Sequence, residues 1–300
     1  MKTLLEAVPP ERHRGEAAVE AVIEKIAAVQ AKAPLDGINI PEIHQEPARS
    51  HKGERRQPFA PRMAPRDLAR RIQDRLGLRC MINHVVVHHT DAQALLDWAH
   101  ETYEVCGINE FVLVGGGEQA IAYPGPSVPQ ANALLREQAQ IDGLRLGNIC
   151  IPSRADEAKR MAAKVASGAD FFTTQILYEA AELNQLLDDL HAQQAPIDEI
   201  LLAFCPVRNQ QNIRFLLWLG VAMPDALEAW LGEIDDQVQA RSLEQIRRTW
   251  AQIVAHVDSI AANAPQLGVN LAPIGPIGAE TTADLATDLA ALHAQAMARV

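Results

Sequence analysis

Two side chains stand where their surroundings argue for chemistry. Glu6 interrupts the apolar run Leu4-Leu5-Glu6-Ala7-Val8, just ahead of Pro9-Pro10. A carboxylate in such a run is paired, exposed at an edge, or raised in pKa by desolvation. A core ion pair and a catalytic carboxylate are both open, and a place at the end of a strand favours the second. Gln175 follows the short apolar run Phe171-Phe172-Thr173-Thr174. Its amide offers one acceptor and two donors in a plane, which suits a flat heterocycle with an amide edge, or equally a loop hydrogen bond. Polar groups recur at the ends of the other apolar runs: Glu42 and Glu46, Asn83 and His84, Ser153 and Arg154, Arg208 and Asn209, and Asn270. Gly115-Gly116-Gly117 is either a tight turn or a flat floor on which a planar ring can approach backbone closely. His88 and His89 are adjacent, so on a strand they point to opposite faces, and no metal site is expected. The chain has no Gly-x-Ser-x-Gly elbow, P-loop or His-Glu-x-x-His, and the glycine run lacks dinucleotide-fingerprint spacing.

The elements that must position these groups alternate along the chain. Strands are expected over residues 2–8, 36–40, 79–87, 108–114, 144–151, 171–174, 199–204 and 267–271. Each is an apolar run bounded by polar or turn residues. Between them lie helical patterns. In the first, Val19, Val22, Ile23, Ile26 and Val29 form one stripe. Others are expected over 65–76, 91–105, 129–140, 155–167, 179–191, 210–219 and 282–298, with extra helices over 224–231 and 235–262. Eight such units with no compositional break indicate an α/β fold, a parallel (β/α)8 TIM barrel with extra helices, as one domain over residues 1–300. A doubly wound open sheet is the runner-up. In a barrel the carboxyl ends of the strands share one surface, where the polar groups above would meet. Residues 41–64 are long for a connection and carry many charges. They read either as a solvated insertion or as a lid whose basic groups meet an anionic ligand tail.

Of the 300 residues 48% are hydrophobic, enough for a sizeable core, and the formal net charge of −11 argues against nucleic-acid or membrane-surface binding. Cys80, Cys106, Cys150 and Cys205 are scattered and read as free thiols in a reducing compartment. The first residues lack a signal-peptide pattern and no run is long enough to span a bilayer, so a cytoplasmic location is expected.

Several short motifs, in order, resemble those of methylenetetrahydrofolate reductases. Leu5-Glu6-Ala7-Val8-Pro9-Pro10 is similar to the family's Phe-Glu-Phe-Phe-Pro-Pro opening, and Asn83-His84-Val85 to its Ala-His-Leu strand. Lys164-Val165, Gly168-Ala169-Asp170 and Thr174-Gln175 resemble its Lys-Val-x-x-Gly-Ala-Asp and Thr-Gln signature. Pro206-Val207-Arg208-Asn209 resembles its Pro-Val-Ser-Asn. The resemblance implies a (β/α)8 enzyme reducing 5,10-methylenetetrahydrofolate to 5-methyltetrahydrofolate with hydride from NADH or NADPH. It implies that Glu6 assists the folate by protonation or by stabilising an iminium cation, and that Gln175 binds the pterin.

The chain departs from the flavin-dependent pattern. The family's Leu-Arg-Gly-Asp is Val114-Gly115-Gly116-Gly117 here, its Tyr-Pro-x-Gly-His is Ile151-Pro152-Ser153-Arg154, and the strand-one aromatics are gone. These losses put FAD in doubt. The Leu-Glu-x-Val-Pro-Pro start, Ile-Pro-x-Arg, Thr-Gln-x-Leu-Tyr and Glu-Ile-Leu-Leu-x-Phe elements resemble the short flavin-independent branch. On this reading Glu6 and Glu46 are the candidate catalytic carboxylates. Gln175, His84, Asn83 and Arg208 are candidates for substrate, and Gly115, Gly116, Gly117 and Arg154 for the dinucleotide. An FAD-dependent reductase and a non-catalytic folate-binding partner subunit are the alternatives, and a homo-oligomer is left open.

Overall fold

The computed structural model describes residues 1–45, 48–117, 122–260 and 264–298. Eight parallel strands close into a barrel in sequence order: β1 (Thr3–Glu6), β2 (Gly37–Pro41), β3 (Cys80–Val85), β4 (Glu110–Val114), β5 (Arg145–Cys150), β6 (Phe171–Thr174), β7 (Glu199–Phe204) and β8 (Gln266–Leu271). Closure pairs Leu4 of β1 with both Gly37 of β2 and Asn270 of β8. Helices cover the outside: α1 (Gly15–Gln30), α2 (Pro65–Leu76), α3 (Ala92–Cys106), α4 (Val128–Gln138), α5 (Glu157–Ala166), α6 (Ala181–Ala192), α7 (Gln210–Trp218), α8 (Asp225–Gly232), α9 (Val238–Ile260) and α10 (Ala279–Met297). α8 and α9 are the extra helices between β7 and β8. Among the described residues no helix is long and apolar enough to cross a membrane.

Local chemistry explains the boundaries. Asp91 caps α3 by accepting from the Ala94 N–H, and Gly107 ends it in the left-handed conformation. Asn209 caps α7 in the same way as Asp91, accepting from Asn212 N–H. Trp250 on α9 lies edge-on to Phe204 and donates its indole N–H to the Leu289 carbonyl, joining β7, α9 and α10. Cys80, Cys150 and Cys205 are free and buried, and burial pushes each thiol up to about 12, which leaves them inert.

Inside the barrel the side chains stack in layers. At the amino-terminal end Lys2 and Arg145 pair with Glu110 and Glu199, over distances of 2.7 to 4.0 Å. The next layer is apolar: Leu4, Met81, Val112, Phe171 and Leu201 form one buried cluster. Gly147 belongs here because a Cβ would lie 2.4 Å from the Phe171 ring. Two residues further along, on the same face, the character changes on most of the strands.

Candidate active site at the barrel mouth

On five of the eight strands that next position is polar, with Val114, Ile149 and Ala203 on the other three. Alternation from Leu4, Met81 and Phe171 puts Glu6, Asn83 and Thr173 inside, and the same step from Gly37 and Gly268 puts Asn39 and Asn270 beside them. Asn39 and Asn270 each donate a side-chain N–H to Oε2 of Glu6, at 3.2 and 3.1 Å. The side-chain amide oxygens of Asn39, Asn83 and Asn270 and the Thr173 hydroxyl are buried without a hydrogen-bond partner. Unsatisfied buried polar atoms cost folding free energy, about 1–3 kcal/mol each. Packing alone would select aliphatics here, as in the layer below. Burial raises the Glu6 carboxyl from its ordinary 4.5 to about 7, against the two amide bonds, which favour the anion. The result is an acid that exchanges its proton near neutrality.

Gln175 follows β6 and continues its inward parity. Its backbone N–H bonds the Cys150 carbonyl, and its side-chain oxygen accepts from Ile176 N–H at 2.9 Å, so the amide NH2 is the end left for other partners. The loop it starts is anchored by Tyr178. This buried ring donates its hydroxyl to the Cys205 carbonyl and is held through its own carbonyl by Gln245 and Thr249 of α9.

The other sequence candidates are spread around this end of the barrel. Asn83 faces inward, and His84 faces outward, stacked on Trp98 of α3 with ring centroids 3.5 Å apart. His84 Nδ1 lies 2.8 Å from Glu42 Oε2, and its Nε2 lies 2.6 Å from His89 Nε2. Burial opposes ionisation of Glu42, yet hydrogen bonds from His44, His84 and the Val85 N–H, with the charge of His84, hold it well below the usual carboxylate range. Burial and neighbouring His84 push His89 below its ordinary value. These groups and His88 line a cavity of about 310 Å³ behind β3, and Glu6 is not part of its lining. No group of three metal-ligating side chains occurs among the described residues.

Arg154 is tied to buried Glu157 at 2.5 Å, a carboxylate that also accepts from the Ile151 N–H and lies 3.9 Å from Lys164. Arg208 is exposed at the start of α7, where its N–H bonds Asn212. In the glycine turn after β4, a Cβ on Gly116 would overlap the Tyr123 ring at 2.2 Å, and one on Gly117 would lie 3.4 Å from the Arg49 guanidinium. Gly115 meets only Val128, at 3.4 Å. Glu46 lies outside the described residues.

Arg49 belongs to the connection between β2 and α2, whose residues 49–55 dock on α7 and the start of α8. Its N–H bonds the Trp218 carbonyl at 3.0 Å, and the Glu54 N–H bonds the Arg214 carbonyl at 3.2 Å. Lys52 pairs with Asp225, and the Arg55 guanidinium lies over the Trp218 ring. Asn39 and Thr173 join the candidate site from the structure alone. Asn39 carried the signal that marked Glu6, a polar group inside an apolar strand (Gly37-Ile38-Asn39-Ile40-Pro41).

The model of one protein family, described as mycobacterial methylenetetrahydrofolate reductase, matches residues 1–249. No curated protein matches the chain. Among solved structures, an uncharacterized protein from Clostridium thermocellum, described as binding two copies of 5-methyl-5,6,7,8-tetrahydrofolic acid, is similar with a TM-score of 0.76. The likeness spans 96% of this chain and 94% of that one, at 17% identity, and is one of fold. The C-terminal domain of a provisionally named chitinase from Desulfitobacterium hafniense reaches a TM-score of 0.49 at 10% identity, over 97% of this chain and 99% of that one, too low to carry an argument.

Proposed function

The chain belongs to the mycobacterial methylenetetrahydrofolate reductase family, and from that premise we propose that it reduces 5,10-methylenetetrahydrofolate to 5-methyltetrahydrofolate by direct hydride transfer from NADH or NADPH, without a flavin. The observation that carries this reading is Glu6: a carboxyl with its pKa raised to about 7, set among amide groups in the layer next to the mouth of a closed barrel. The reaction needs such a group. The imidazolidine ring opens to an N5 iminium when N10 takes a proton, and the iminium is then stabilised by a nearby anion. An acid with a pKa near neutrality does both in turn: it gives its proton to N10 and remains as the carboxylate beside the cation. Gln175 offers its amide NH2 to the pterin. Hydride then passes from C4 of the nicotinamide to the methylene carbon, for which the two must come within about 3–3.5 Å.

The turn after β4 is the place this reading gives to the dinucleotide. Gly116 and Gly117 are covered by the chain's own Tyr123 and Arg49. A ring laid on that turn displaces both, which suits a co-substrate admitted and released at each turnover. Residues 41–64 then act as the lid, and its arginines meet the dinucleotide phosphates or the folate glutamate tail.

The direct test is the purified protein mixed with methylenetetrahydrofolate and NADH or NADPH, with its absorption spectrum recorded first. Expected are a colourless protein, oxidation of the dinucleotide and formation of 5-methyltetrahydrofolate in equal amount. A stoichiometric flavin, or no oxidation until flavin is added, overturns the proposal. Gln175→Ala is expected to weaken folate binding by roughly ten-fold, the scale of one lost hydrogen bond to a bound ligand. An unchanged folate Kd assigns Gln175 to the loop alone.

A further inference from the structure

Asn39 and Asn270 flank Glu6 from the two strands that neighbour β1 in the closed sheet, β2 and β8. Both donate to the same oxygen, Oε2, and no described group donates to Oε1. We propose that Asn39 and Asn270 are positioning residues that clamp Glu6 through Oε2 and thereby place its acidic proton on Oε1, the oxygen left to solvent and ligand. The inference rests on the proposed reduction for its use, and on the hydrogen-bond geometry alone for its existence.

Three physical points lead there. A protonated carboxyl has one carbonyl oxygen and one hydroxyl oxygen, and the carbonyl is the better acceptor. Two N–H donors on Oε2 therefore favour the tautomer with the proton on Oε1. Second, an amide donates without carrying charge. Lysine or arginine at either position would drive Glu6 to the anion, whereas two amides orient it and moderate the effect of burial. Third, each asparagine leaves its own side-chain Oδ1 buried and unpartnered. A residue kept for packing would not carry that cost, and the layer below shows the aliphatic alternative in Leu4, Val112 and Leu201.

The experiment is a titration of the Glu6 side-chain carbon by NMR, in the full chain labelled at glutamate, with the signal assigned by its loss in Glu6→Gln. Asn39→Ala and Asn270→Ala remove the donors without crowding, and Asn39→Leu and Asn270→Leu remove them while keeping water out. Each loss of a donor to the anion is expected to move the Glu6 titration upward by about one pH unit, more in the leucine than in the alanine variants. The alkaline limb of the kcat profile is expected to move the same way. A titration that stays put, or moves down, in the folded variants of both positions overturns the clamp. The two proposals fail separately: a protein with no reductase activity still reports the clamp by NMR, and an unmoved titration in an active reductase removes the clamp alone.

Discussion

Glu6→Gln is expected to lower kcat by two to four orders of magnitude while the protein stays folded, the usual range for loss of a general acid. Glutamine keeps the shape of the side chain and an oxygen for Asn39 and Asn270, so the barrel layer is preserved. In the proposed reduction, what it lacks is the proton for N10 and the charge for the iminium. The same variant carries a stability signature. Because the carboxyl is raised from 4.5 to about 7, the native state binds more protons than the unfolded chain between those values. Stability therefore falls as pH rises through that window, by on the order of 3 kcal/mol in total. Glu6→Gln removes the titrating group, so the variant is expected to be the more stable protein at pH 8 and close to wild type at pH 4. Turnover within a few-fold of wild type would take Glu6 out of the chemistry. Equal pH dependence of Tm in the two proteins would show that Glu6 is not desolvated.

Gly53→Ala is expected to lower kcat/KM at least ten-fold, with Tm within a few degrees of wild type. A Cβ at this position would lie 2.0 Å from Trp218 N, 2.5 Å from Arg214 O and 2.6 Å from Leu217 C. All three are backbone atoms of α7, so no side chain can turn aside to make room. The segment must lift from the helix, giving up the bonds of the Arg49 and Glu54 N–H groups to the Trp218 and Arg214 carbonyls. The barrel core takes no part in that contact, which is why global stability is spared. A segment acting as the proposed lid changes binding and turnover together, and ten-fold corresponds to about 1.4 kcal/mol. Limited proteolysis supplies the independent readout: cleavage between residues 48 and 60 should become faster in the variant. Faster cleavage with unchanged kcat/KM would make the segment a solvated insertion, and unchanged cleavage would show that it does not dock on α7 in solution.

The elements were legible where the sequence punctuates them. β6, β7 and α2 run over the residues that the apolar runs and their flanking glycine and proline residues mark. The third strand was read to Val87, but β3 ends at Val85, and Val86 and Val87 are buried in a 3-10 turn. A run of valines signals burial and extended preference together, and here burial by the loop decided the outcome. His84 shows the other gap. Its place next to Asn83 was plain, yet only the facing of β3 shows that Asn83 turns inward and His84 outward onto Trp98.

The period of the apolar residues and the turn chemistry between them determined the eight βα units and the strand ends where Glu6 and Gln175 stand, since those signals act over a few neighbouring residues. The tertiary structure alone decided that Asn270 meets Glu6 across 264 positions of chain, that β1 lies between β2 and β8, and that the segment carrying Gly53 reaches α7. Pairing between distant strands depends on ring closure and register, and a slip of one residue would exchange Asn39 for Ile38 at the carboxylate. No local pattern encodes that choice, because the free energy that selects it belongs to the closed barrel as a whole.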